Sequence, residues 1–177
     1  PGGIAYSLLS FLSILKAAYV KRPGSKKIPP PRQTEAFDLY FKAIEALAYV
    51  DHTRQVLGGL NLFRLTTRFN ISKIPGVSIY WSGAAALFSV SGLSFQLGNR
   101  LMKMGKRYID PKDVAGRLNH VVMSTLTYHC QGRWDKIGNF DEDLMNAGRK
   151  IGDLWHTANY LIFHGLVQGE QGTYDRL

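Results

Sequence analysis

Hydrophobic positions recur with helical period along most of this chain, and one long segment carries no ionisable side chain. From Ile74 to Asn99 there is neither acid nor base, with Lys73 ahead of the segment and Arg100, Lys103, Lys106 and Arg107 behind it. Read as one helix, it would reach about 39 Å at about 1.5 Å per residue, enough to cross a hydrocarbon core of about 30 Å. The basic residues would then lie among anionic headgroups. Five serines and four glycines make the segment poorer in Leu and Ile than a lipid-facing helix. Ser78, Ser82 and Ala86, or Ala85 and Ser89, form small-residue faces that suit close approach of another helix. A central helix inside a bundle also reads apolar all round. The cationic cluster tips the balance toward membrane contact.

Ahead of this segment, residues 1–15 are uncharged and include Ile4, Leu8, Leu9, Phe11, Leu12, Ile14 and Leu15. Positive charge follows them at Lys16, Lys21 and Arg22, the reverse of a secretory signal. The run is short for a bilayer span, so residues 1–21 read as an interfacial helix or an arm docked on a partner. Starting at Pro1 rather than Met, the chain reads as a processed or trimmed product. Residues 22–33 form a Pro/Lys-rich linker whose three consecutive prolines favour an extended backbone.

Residues 34–177 read as a single helical domain. Thr34 is the expected cap of a helix whose stripe is Phe37, Tyr40, Phe41, Ile44, Leu47 and Ala48. A second run covers about 52–69, with Val56, Leu60 and Phe63 on one side and Arg54, Arg64 and Arg68 giving basic character. Gly58-Gly59 weakens this helix or admits a close neighbour. Asp110-Pro111 breaks the chain before a helix of about 113–130, and Gln131 to Phe140 reads as a loop. Asp141-Glu142-Asp143 supplies the negative charge that a helix N-terminus favours. That helix is expected to run through Leu144, Ile151, Leu154 and Ile162 and end near Gly165 to Gly169. Strand alternation is scarce. The predicted fold is an all-α, membrane-associated bundle of about five helices with an N-terminal helical arm and a Pro-rich linker.

Charge sharpens this picture. Residues 1–117 carry 17 Lys/Arg against 6 Asp/Glu, a net of +11, whereas residues 118–177 carry 5 against 7, a net of −2. The first two-thirds therefore faces something anionic: lipid, nucleic acid or an acidic partner subunit. Charged residues are only 20 % of the chain against 45 % hydrophobic, with no nucleic-acid-binding signature, so nucleic acid is the weakest of the three.

The chain carries little chemistry. Cys130 is the only cysteine, which excludes an intrachain disulfide and reads as an inert buried thiol. His120, His129, His156 and His164 lie in predicted helices, but no His-x-x-x-His pair and no His-Glu-x-x-His occurs, so they read as core or interfacial residues. Neither a phosphate-binding Gly-rich loop nor a catalytic pair is present, and no cofactor is expected. One constellation stands above background. Arg100, Lys103, Lys106 and Arg107 project from one side of a helix end, and with Arg54, Arg64 and Arg68 they are the candidate lipid-headgroup ligands.

Three segments resemble the family of peroxisome-elongation membrane proteins, the eleventh peroxin and its relatives. Asp51-His-Thr-Arg54 through Phe63-Arg64-Leu65 is similar to that family's early amphipathic helix. Ser94 to Lys106 resembles its central basic-apolar segment. Ile151-Gly152-Asp153-Leu154 with Asn159-Tyr160-Leu161 resembles its late Asp-containing membrane segment. The resemblance implies an all-helical, lipid-associated, non-catalytic protein. The triple-proline linker departs from the family's pattern. Basic composition, an imperfect spanning segment and an extended arm equally suit an accessory subunit of a mitochondrial inner-membrane complex, of respiratory-chain or ATP-synthase type. That is the leading expectation, with partner subunits and anionic lipids as its contacts and no nucleic acid. A peroxisomal membrane-shaping protein and a basic organellar ribosomal protein are the alternatives.

Overall fold

A computed structural model describes residues 2–20, 26–48 and 50–172, with side chains from Leu8 onward. Residues 22–25 of the expected linker lie outside the described residues. Residues 26–30 are non-helical, and the next helix begins at Pro31 rather than at Thr34. A proline at the first helical position loses no hydrogen bond, because that N–H has no intrahelical partner.

Among the described residues there are eight α-helices and no strand. They are α1 (Gly2–Tyr19), α2 (Pro31–Leu47), α3 (His52–Thr66), α4 (Val77–Val90), α5 (Phe95–Arg107), α6 (Val114–Cys130), α7 (Glu142–Lys150) and α8 (Leu154–Glu170). Side-chain oxygens cap five of them: Asp51, Ser94, Asp113, Asp141 and Asp153 each accept a backbone N–H three residues on. These caps set where the helices begin.

Two breaks raise the helix count above the expected five, and the first overturns the single rod over 74–99. The chain turns at Gly92, whose φ of 68° is left-handed, and Ser94 caps a new helix. The 14 residues of α4 reach only about 21 Å, short of a hydrocarbon core. No helix among the described residues is long and apolar enough to cross a membrane. The second break lies at Gly152, φ 77°, where α7 gives way to α8 instead of continuing into it.

The halves of the uncharged segment fold back on each other. A Cβ on Gly98 would meet Ser89 Oγ at 2.5 Å and the Ala85 carbonyl at 3.0 Å. One on Gly105 would meet Ser82 Oγ at 2.8 Å and the Ser78 carbonyl at 3.3 Å. Rising positions on α5 thus oppose falling positions on α4, an antiparallel pair whose backbones nearly touch. Larger side chains would hold such axes 8–10 Å apart.

Around this pair two cores form. The first joins α1 to α5 through Phe37, Phe63, Trp81, Phe88 and Leu101, with the Trp81 and Phe63 rings 4.5 Å apart. The second joins α6, α7 and α8 through Leu118, Val122, Leu144 and Tyr160. Helix α6 also packs on α4, and Met123 touches both cores, which makes α6 the bridge. The N-terminal helix is no free arm: Ile14 and Ala18 are buried, and α1 packs on α3 and α5.

Candidate functional site

The cationic residues of α5 occupy its outer face because Leu97, Leu101 and Met102 turn inward. Lys103, Lys106 and Arg107 are exposed. Arg100 is engaged with α1: its Nε donates to the Ala18 carbonyl, and its guanidinium lies 4.5 Å over the Tyr19 ring. A cation there also offsets the negative end of the α1 dipole. Between the end of α1 and α5 runs a groove of about 580 Å³ lined by Ala17, Ala18, Val20, Arg100, Lys103 and Arg107.

The α3 arginines are placed elsewhere. Arg54 pairs with Asp51 at 3.2 Å, Arg64 Nη2 donates to Asn61 Oδ1 at 3.2 Å, and Arg68 is exposed beyond the helix end. Helix α1 packs on both α3 and α5, which share no substantial contact with each other. The two basic sets therefore do not form one site. Of the small residues, Ser78, Ser82, Ala85 and Ser89 lie in the α4–α5 contact, whereas Ala86 lines a cavity on another side of α4.

Two histidines are buried in opposite electrostatic surroundings. His120 Nδ1 lies 2.8 Å from Ser82 Oγ; burial, with Lys106 nearby, pushes its pKa down to about 4, so the ring is neutral near pH 7. His156 lies 2.9 Å from Asp153 Oδ1 through Nδ1 and 3.3 Å from Glu45 Oε1 through Nε2. Burial alone would lower its pKa, but the hydrogen bond to Asp153 and the negative charge of Asp153 and Glu45 outweigh that and hold it up at about 9. The cation in turn keeps the Asp153 carboxyl below its ordinary value against the cost of burial. The Glu45 contact is an ion pair off the line of the ring N–H, since Oε1 gains no aligned hydrogen bond. Asn119 completes the group, its amide 2.9 Å from Nε2. A doubly protonated ring only donates, so its match there is the amide's oxygen rather than its NH2.

Sequence reasoning missed this network. Its one local signal is Asp153-x-x-His156, a cap and a partner on the first turn of a helix. Glu45 and Asn119 come from distant helices, and no spacing announces them. Two further histidines have structural contacts: His164 Nε2 donates to the Gly138 carbonyl at 3.0 Å, and His129 lies 3.4 Å from Glu170. No group of three or more metal-binding side chains is assembled among the described residues. Cys130 is exposed rather than buried, because it is the last residue of α6; partial burial still raises its pKa, which favours the thiol.

A cavity of about 350 Å³ opens between α2, α3, α4 and α6. Phe41, Ile44, Leu62, Leu87 and Met123 line it, and Glu45, His52 and Gln55 bring polar groups to it.

The outer surface holds the most unusual feature, which is α8. Its inward face is His156, Thr157, Tyr160, His164 and Val167. Its outward face is Leu154, Trp155, Ala158, Leu161, Ile162 and Leu166, with Leu154 68 % and Ile162 57 % exposed. The polarity of a surface helix is inverted. Leu8, Leu9 and Leu12 of α1 are likewise exposed.

The chain matches no protein-family model, no curated protein and no solved structure.

Proposed function

We propose that this chain is a non-catalytic structural subunit of a large membrane-bound assembly, of the mitochondrial inner-membrane type, docking through the outer face of α8. The inverted polarity of that helix carries the proposal. Covering a large apolar side chain is worth about 1.5–3 kcal/mol when it passes from full exposure to full burial. The five large residues of the α8 stripe are roughly half exposed, so full cover supplies several kcal/mol toward association. Partner helices or acyl chains provide that cover. The exposed cations of α5 would meet anionic headgroups, at about 1 kcal/mol each near such a surface. Helix α3 buries Leu62 and Phe63 inside the bundle rather than offering them to a bilayer, which favours a docked subunit over a membrane-shaping helix.

Native-gel migration of the endogenous protein tests this. The wild type is expected in a species far larger than its 19.8 kDa, and the Leu161→Glu/Ile162→Glu double variant outside it. A wild-type chain that migrates alone refutes the proposal.

A further inference from the structure

The cavity between α2, α3, α4 and α6 has the size and lining of a small-molecule site. Its volume of about 350 Å³ falls within the roughly 300–1,000 Å³ of ligand pockets, and it is too small for a partner helix, which is about 10–12 Å across with its side chains. Small residues on three helices leave this space: Ala48 on the α2 side, Gly59 on α3, and Gly83, Ala84 and Ala86 on α4. At two of these positions there is room for more. A Cβ on Gly59 would have its nearest neighbour at 3.9 Å (Leu87 Cδ2), and one on Gly83 at 3.7 Å (Phe41 Cε2), both ordinary contacts. Gly98 and Gly105 are different, since there the opposing helix fills the space a side chain would need.

The polar groups define the other end of the ligand. Glu45 lines the cavity, and its Oε1, shielded from solvent, has only the misaligned contact with His156. That oxygen faces His156; the remainder of the Glu45 side chain, which is 27 % exposed, is what meets the cavity and can accept from a donor there. His52 and Gln55 lie at the same end of the α2–α3 pair. Tyr80, a further lining residue, is neutral, since burial pushes its pKa to about 12. Two carboxylates, Glu45 and Asp153, against the one His156 imidazolium leave this end net negative, which disfavours an anionic head, while the Glu45 carboxylate accepts from a hydroxyl or an ammonium.

We propose that this cavity binds an amphipathic small molecule with a medium-length apolar body and a hydrogen-bond-donating head, its head on Glu45 and its body between Phe41, Leu62, Leu87 and Met123. The chemical class is that of a long-chain alcohol or amine, not a fatty acid. The proposal stands apart from the docking of α8, which lies outside the cavity.

Calorimetric titration of the full chain at pH 7.5 with decylamine, 1-decanol and decanoate, each below its aggregation threshold, tests it. The expected result is one site per chain for decylamine and 1-decanol, each binding at least tenfold tighter than decanoate. Glu45→Gln is expected to erase the preference for decylamine over decanoate while leaving 1-decanol within threefold. Gly83→Leu and Gly59→Leu, which push side chains in from opposite walls, are each expected to abolish binding. Using both guards against one misfolding, with circular dichroism to confirm helix content. Leu161→Ser, on the outer surface, should change nothing. Decanoate binding as tightly as decylamine, undetectable binding of all three, or binding that survives in folded Gly83→Leu and Gly59→Leu would each overturn the proposal; the last would place the ligand on the outer surface.

Discussion

Stability of this protein should peak near pH 6.5 and fall on both sides, because its two buried histidines titrate with opposite signs. His156 holds its proton more tightly folded than unfolded, at about 9 against an ordinary 6.5. Its contribution is complete below pH 6.5 and is lost as pH rises through about 9. The ring is only 11 % exposed, so little solvent screening discounts it. At about 1.36 kcal/mol per pH unit, the interval is worth about 3 kcal/mol. His120 runs the other way. Its folded value of about 4 lies below 6.5, so its contribution is complete above pH 6.5 and is lost as pH falls toward 4, again by about 3 kcal/mol. Asp153, with its carboxyl lowered, adds a further loss only below its ordinary 3.8, beyond the acid window. Cys130 enters only above its ordinary 9.0, beyond the alkaline window. Urea unfolding followed by circular dichroism between pH 4 and 10 measures both limbs. His156→Gln should lower stability at pH 6.5 by about 3–5 kcal/mol, since it leaves Asp153 and Glu45 without their cation, and should flatten the alkaline limb. Stability that rises between pH 6.5 and 9, or an alkaline fall that persists in His156→Gln, would refute the assignment of a buried imidazolium.

Gly98→Val should cost about 3 kcal/mol in urea unfolding, because its Cβ meets Ser89 Oγ at 2.5 Å and the rigid Ala85 carbonyl at 3.0 Å. Gly59→Ala, whose nearest neighbour is at 3.9 Å, should instead gain about 0.5–1 kcal/mol from helix propensity. Arg100→Ala removes the stacking on Tyr19 and the bond to the Ala18 carbonyl. It should weaken α1 docking by about 1 kcal/mol, read as faster proteolysis at the end of that helix with the second core unaffected.

The all-helical character was legible from period alone, and the helix expected over about 113–130 is α6, Val114–Cys130. The two missed breaks share one cause. Hydropathy sees Val90 and Leu93, or Ile151 and Leu154, as a continuing apolar stripe, although Gly92 and Gly152 have left-handed φ between them. The usable clue was local chemistry: a glycine followed at once or two residues later by a capping Ser94 or Asp153. The small-residue spacing of Ser78, Ser82, Ala85 and Ser89 was also readable, but not that its partner would be the second half of the same segment. Glu45 and Asn119 were beyond reach. Each looks like an ordinary helix residue until folding sets it against His156, and its local sequence carries no trace of such a contact.

Two oddities of the C-terminal half have one explanation. Its interior holds Asn119, Thr125, Thr127, His156, Thr157 and His164, while Leu154, Trp155, Leu161, Ile162 and Leu166 face outward. In water, such an arrangement forgoes apolar burial inside and exposes apolar surface outside, so both terms weaken the isolated fold. Against partner helices or acyl chains the outer face loses that penalty. Each internal hydrogen bond also strengthens, because water no longer competes and the local dielectric falls. Cover over α8 would therefore stabilise the His156 cluster beneath it as well as the surface it touches. Docking and folding of this half then become linked, and occupancy of the outer face should raise the resistance of α7 and α8 to hydrogen exchange more than that of α2 and α3, which pack on the first core.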